Sequence, residues 1–155
     1  MTDPIDIFYT LAKAFCAFAQ GEPSAHDARI AQMLLARLYA AALELPEGIG
    51  EEVQGEPMSL EEWQVVHQRF ASLPVRRYSA PFQPLNETDS ASIADVAEDL
   101  ADIYRDIKRG LAQYERGAHA AAAWEWSLHF HAHWGRNALA ALSALHAWRS
   151  QQAFE

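Results

Sequence analysis

The chain has 155 residues, enough for one domain with a real core and too few for two. Half of the residues are hydrophobic and 21% are charged, which excludes a disordered chain. The formal net charge is −9 and only 12 Lys and Arg are spread along the sequence, so neither nucleic acid nor an acidic membrane surface is an expected partner.

The first element opens on Thr2, Asp3 and Pro4, an N-cap pair followed by proline in the first turn. Ile7, Leu11, Ala14, Phe15 and Phe18 then recur at helical spacing, predicting a helix over 4–20 that Gly21 and Pro23 stop. Cys16 lies in this apolar run, where it is expected to be a buried, unreactive thiol in a reducing compartment. MTDPIDIFYT has no basic n-region or signal-type apolar core, and no stretch approaches the roughly 18 to 20 apolar residues of a membrane span, so a cytoplasmic protein is expected.

Ser24 announces a second helix over 25–45, with Ile30, Leu34, Leu38, Ala41 and Leu45 on one face. The acidic segment EGIGEEVQGEP reads as a solvated connection. SLEE, starting at Ser59, matches a capping box and predicts a third helix over 60–72. A long proline-containing loop follows, in which Arg76 and Arg77 are candidate anion contacts. A fourth helix is expected over 91–115, its apolar line running Ile93, Val96, Leu100, Ile103, Ile107, Leu111, Tyr114. The rest, 118–150, reads as one Ala-rich helix with Gly135 as a possible kink. No strand-like alternation is visible. The expected fold is all-α: one domain over 1–155, an antiparallel bundle of about five helices. Leu100, Ile103, Ile107, Leu111, Trp124, Leu128, Leu139 and Leu142 are its expected core.

Two polar groupings carry possible chemistry. In WEWSLHFHAHW, from Trp124 to Trp134, the histidines alternate. On a helix, with about 100° between residues, His129 and His133 share a face with Glu125, while His131 points away toward the expected core. Glu125, His129 and His133 at i, i+4, i+8 can present a carboxylate and two imidazoles in a row, a spacing used for zinc. A solvent-exposed polar strip produces the same residues, and that reading is preferred. The other grouping is the acidic face of helix four, where Asp99, Asp102 and Asp106 could share a hard cation such as Mg²⁺. Height along an antiparallel hairpin brings Asp102 and Asp106 level with roughly 128–132. Rotation argues against a meeting, because both polar strips should lie away from the apolar seam.

EDLADIY is similar to the acidic E-x-x-D phrase of the MazG-type nucleotide pyrophosphohydrolases, with Asp99 and Asp102 as the matching pair. That resemblance implies divalent-metal-dependent phosphohydrolysis, but the companion E-x-x-E on an earlier helix is missing. A longer likeness is carried by DLADIYRDIKRGLAQYERG, AAWEWSLHFHAHWG and ALSALHAW, which resemble the bacterial family known as domain of unknown function 5063, most densely over 99–148. Asn137 stands where the family phrase HWGxH has histidine. The resemblance implies a small bacterial helical domain and assigns no activity.

With no complete catalytic set, the preferred expectation is a non-catalytic regulatory or protein-interaction module. The alternative is a metal-dependent phosphohydrolase on the acidic stripe, with Mg²⁺ or another divalent cation as its cofactor. The aromatic arc of helix five exceeds what one core needs, so a homodimer, or another protein partner, is expected on Trp126, Phe130 and Trp148.

Overall fold

Asp3 accepts the amide of Ile5 at 2.8 Å and Pro4 fills the first helical position, so α1 runs Pro4–Ala19. The structure is a computed structural model and describes residues 2–47 and 57–154. α2 (Asp27–Ala42) begins where the Asp27 carboxylate reaches back to the amide of Ser24 at 3.1 Å. Residues 48–56 of the expected acidic loop lie outside the described residues. Ser59 Oγ accepts the amide of Glu62 at 3.1 Å and starts α3 (Leu60–Arg69). Only that half of the capping box forms, because the Glu62 carboxylate turns to Lys108 at 3.4 Å.

The fourth helix departs from expectation at its start. β1 (Arg77–Ala80) pairs antiparallel with β2 (Ser92–Asp95), in the register Arg77 to Asp95 and Ala80 to Ser92, and α4 (Val96–Glu115) begins only after β2. Asp95 caps α4, accepting the amides of Ala97 at 2.8 Å and Glu98 at 3.3 Å. Strands of four residues are too short to show a period-2 pattern, and Ile93, expected in the helical line, is an exposed strand residue. The rest of the all-α architecture stands, with this small hairpin as its one addition among the described residues.

The chain reverses at Gly117 into α5 (His119–His129), a π-helical turn (Phe130–Trp134) and α6 (Gly135–Ala153). The amide of Gly135 bonds back to the carbonyl of Phe130, the i→i+5 pattern of a π turn. A Cβ at Gly135 would lie 2.5 Å from that carbonyl oxygen, so the residue is glycine by close approach. The π turn sets which side of the helix faces inward. In an α-helix a residue four places on has advanced about 40°, and the wider π turn removes most of that advance. Trp126, Phe130, Trp134 and Ala138, each four apart, therefore form one straight stripe, and all are buried.

This inverts part of the expected core. Leu100, Ile103 and Ile107 are fully buried, and Leu111 and Leu142 are half-buried against the core. Trp124 is half-buried, but Leu128 and Leu139 are exposed. His131, expected at the core, is also exposed, 3.9 Å from Glu47. In their place Trp126 and Trp134 sit at the centre, with ring centroids 4.7 and 5.9 Å from Phe8 of α1. The interface expectation is corrected by the same burial. Trp126 and Phe130 pack inside one chain, so they offer no surface for a homodimer, and Trp148 is half-buried against the same core. No helix among the described residues is long and apolar enough to cross a membrane.

Candidate metal centre

α4 packs between α1, α3, α5 and α6, so its acidic face cannot remain a uniform solvated stripe. Each carboxylate meets a different neighbour. Asp95 is held by Arg76, whose Nε and Nη2 reach its two oxygens at 3.1 and 3.0 Å. The guanidinium and the two capping amides hold its carboxyl below the usual range against the opposing effect of burial. Arg76 also donates to the carbonyl of Ala71 at 3.0 Å, while Arg77 is exposed on β1. Arg76 thus ties the segment before β1 to the cap of α4, and its guanidinium is engaged there.

Asp99 is buried and accepts a short hydrogen bond from the Tyr78 hydroxyl. Asp102 accepts from Trp63 Nε1 at 2.8 Å. Asp99, Asp102 and Asp106 thus turn to separate partners, and they do not gather around a shared cation. No sequence signal pointed to Tyr78 or Trp63 as these partners, since 21 and 39 residues separate them from the carboxylates they serve.

Burial pushes the Asp99 carboxyl up to about 7, with the Tyr78 hydroxyl pulling the other way. A carboxyl raised in the folded state binds its proton more tightly there than when unfolded. Its contribution is therefore fully present below the unfolded value of 3.8 and lost as pH rises through about 7. Asp99→Asn keeps an acceptor for Tyr78 and removes the buried charge. Denaturant unfolding should show the variant more stable at pH 8, by on the order of 1 to 3 kcal/mol, and level with the parent near pH 4. Equal slopes of stability against pH in the two proteins would count against it.

Asp106 behaves differently. It is only 2% exposed, and its Oδ2 has no hydrogen-bond partner. One ligand atom each from Asp106, His129 and His133 lie within 4.8 Å of one another. The acidic face and the histidine strip therefore do converge, against the rotational argument. Two features bring this about. Asp106 points into the α4–α5 seam, and the π turn brings His133 over His129, with ring centroids 5.6 Å apart and planes 17° from parallel. Their Nδ1 atoms face each other at 3.5 Å. His129 turns its other nitrogen, Nε2, to Glu125 at 3.7 Å. Glu125 is itself buried and meets Arg109 Nε at 3.4 Å, a charge contact without hydrogen-bond geometry.

Of the six residues proposed from sequence as metal ligands, three converge, Glu125 stands behind His129, and Asp99 and Asp102 are engaged elsewhere. The electrostatics match this arrangement. Burial raises the Asp106 carboxyl, with Arg105 and both imidazoles opposing. The Glu125 contact raises His129, and His129 in turn lowers Glu125. A buried carboxylate with an unpaired oxygen is costly, and two adjacent imidazoles cannot both carry a proton cheaply. A divalent cation would resolve both. Two nitrogens and one oxygen suit zinc, cobalt, manganese or iron, whereas magnesium and calcium prefer oxygen alone.

Between the hairpin, α4 and α6 lies a cavity of about 330 Å³, walled by Tyr78, Phe82, Asp99, Asp102, Arg136 and Asn137. Asp102 and Asn137 each stand one helical turn along the chain from a triad residue, Asp106 and His133.

A family model described as domain of unknown function, DUF5063, matches residues 1–151. Among solved structures, the crystal structure of protein BF1032 from Bacteroides fragilis is similar at 26% identity and a TM-score of 0.74, over 93% of this chain and 90% of that one. No curated protein matches the chain.

Proposed function

The chain belongs to the DUF5063 family, and from that premise and its own geometry we propose a metal-dependent protein whose centre is Asp106, His129 and His133. The observation that carries the reading is the buried, unpartnered Asp106 Oδ2 beside two facing imidazole nitrogens. Three protein ligands leave at least one coordination position open, as in catalytic rather than structural zinc sites. A metal there would acidify a bound water for hydrolysis, and the neighbouring cavity offers room for a substrate. This revises the phosphohydrolase alternative: the ligands are a carboxylate and two histidines, and a transition metal replaces Mg²⁺.

The test is direct. After exposure to zinc or cobalt and desalting, elemental analysis should find one metal per chain. His133→Ala, a change at an exposed side chain, should retain none while keeping its helical circular dichroism. Metal-free wild type after this treatment would end the proposal. The Glu125 carboxylate, 3.7 Å from Nε2, favours the His129 tautomer protonated there, which would leave Nδ1 free for a metal. Glu125→Gln should therefore weaken metal binding by about 10- to 100-fold without changing stoichiometry, read by competition with a chromophoric chelator. An unchanged affinity would remove Glu125 from this role.

The interaction-module reading loses its aromatic helix face to the core, but it keeps the hairpin, where Phe82, Leu85 and Ile93 are exposed. Sedimentation of the wild type against Leu85→Ser tests self-association there, and a monomer at high concentration in both would remove the homodimer.

A further inference from the structure

We infer that the open side of this centre takes a phosphoryl oxyanion, with Arg105 and Arg109 completing the site; the inference rests on the metal reading above. Both arginines lie on α4, one turn apart, each against a carboxylate of the centre or of its support. Arg105 Nε is 3.6 Å from Asp106 Oδ1 and its Nη1 is 3.6 Å from Asp102. Arg109 Nε is 3.4 Å from Glu125. Their side chains are 41% and 31% exposed, although Arg109 Nε itself is buried against Glu125.

Arg105 is shared between two carboxylates at 3.6 Å, and Arg109 Nε faces Glu125 without a hydrogen-bond partner. Guanidinium donors are suited to bidentate capture of phosphate or carboxylate oxygens.

Charge decides the order of binding. Asp102, Asp106 and Glu125 against Arg105 and Arg109 leave one net negative charge, which draws in a cation. A divalent ion turns that into one net positive charge, which then draws in an anion. Two guanidiniums and one metal would make three positive points close together, since the arginines lie within 3.6 Å of Asp106 and Glu125. That arrangement matches an anion with three terminal oxygens. A planar carboxylate would be satisfied by one arginine or by the metal alone.

The experiment uses the full chain loaded with Co²⁺, whose visible spectrum reports its own ligands, titrated with inorganic phosphate and, separately, with acetate. Saturable one-to-one phosphate binding that shifts the cobalt bands, with acetate at least tenfold weaker, is the expected result. Arg105→Gln should weaken phosphate by about tenfold or more while still binding one Co²⁺ per chain. Arg109→Lys, which keeps the charge facing Glu125, should fall between the two. A cobalt-loaded protein that ignores phosphate, or binds acetate equally well, overturns the inference and leaves the metal centre standing. So does an Arg105→Gln variant that binds phosphate like the wild type. Failure to bind Co²⁺ at all overturns the metal reading itself, and this inference with it.

Discussion

Zinc should raise the melting temperature of the wild-type protein by about 5 to 10 °C, and Asp106→Asn should abolish that rise without weakening the apo protein. A ligand at about 100 times its dissociation constant stabilises the folded state by roughly 2.7 kcal/mol, and a chain of this size gains about 2 to 4 °C per kcal/mol. The second half of the expectation separates a functional residue from a structural one. Asp106 is 2% exposed with an orphaned Oδ2, so in the apo protein it costs stability. Replacing its charge by an isosteric amide should leave the metal-free melting temperature at pH 8 equal to or above that of the wild type. A residue kept for packing or pairing would show the reverse. Calorimetry of both proteins, with chelator and with zinc, reads all four states. A destabilised apo Asp106→Asn, or a variant still raised by zinc, would remove Asp106 from the centre.

Gly110→Ala should cost about 3 kcal/mol or more and lower the melting temperature by roughly 6 to 12 °C. A Cβ at this position would lie 2.2 to 2.6 Å from the indole of Trp126. The indole has nowhere to go. It is fully buried, donates to the carbonyl of Ile107 at 2.9 Å, and packs against Phe8. The strain can be relieved only by spreading α4 from α5, the two helices that carry Asp106 and His129. The variant should therefore lose zinc affinity as well as stability. Gly110→Ala with Trp126→Phe should recover part of both, since the smaller ring makes space for the methyl. A single Gly110→Ala variant within 0.5 kcal/mol of wild type, measured by denaturant unfolding, would contradict the close approach.

Local chemistry in the chain was legible from the residues. The Asp3–Pro4 start, the Ser59 cap and the apolar period of α4 act within about one helical turn; the first two form where their patterns place them, and the third holds from Val96 onward. The hairpin of Arg77–Ala80 with Ser92–Asp95 was not legible. Its strands are four residues long, and the arginine that orients it, Arg76, finds Asp95 across 19 positions.

The amino-acid sequence by itself determined the all-α class, the helix-forming segments and the three residues of the candidate centre, all among its nominated ligands. It could not say which of those nominees meet, because that depends on how α4 and α5 are rotated about their own axes. Tertiary packing decided the rotation through two contacts with no local signature. Trp126 seats in the notch of Gly110, which turns the Trp126 stripe inward and brings the Glu125–His129 stripe beside Asp106. The π turn, made possible by the missing Cβ of Gly135, then keeps His133 directly over His129 instead of letting it drift around the helix. The helical periodicity assumed in reading the sequence put Leu128 and Leu139 inside and the aromatic face outside; with one turn wound i→i+5, the larger, flatter rings fill the core and the leucines face water.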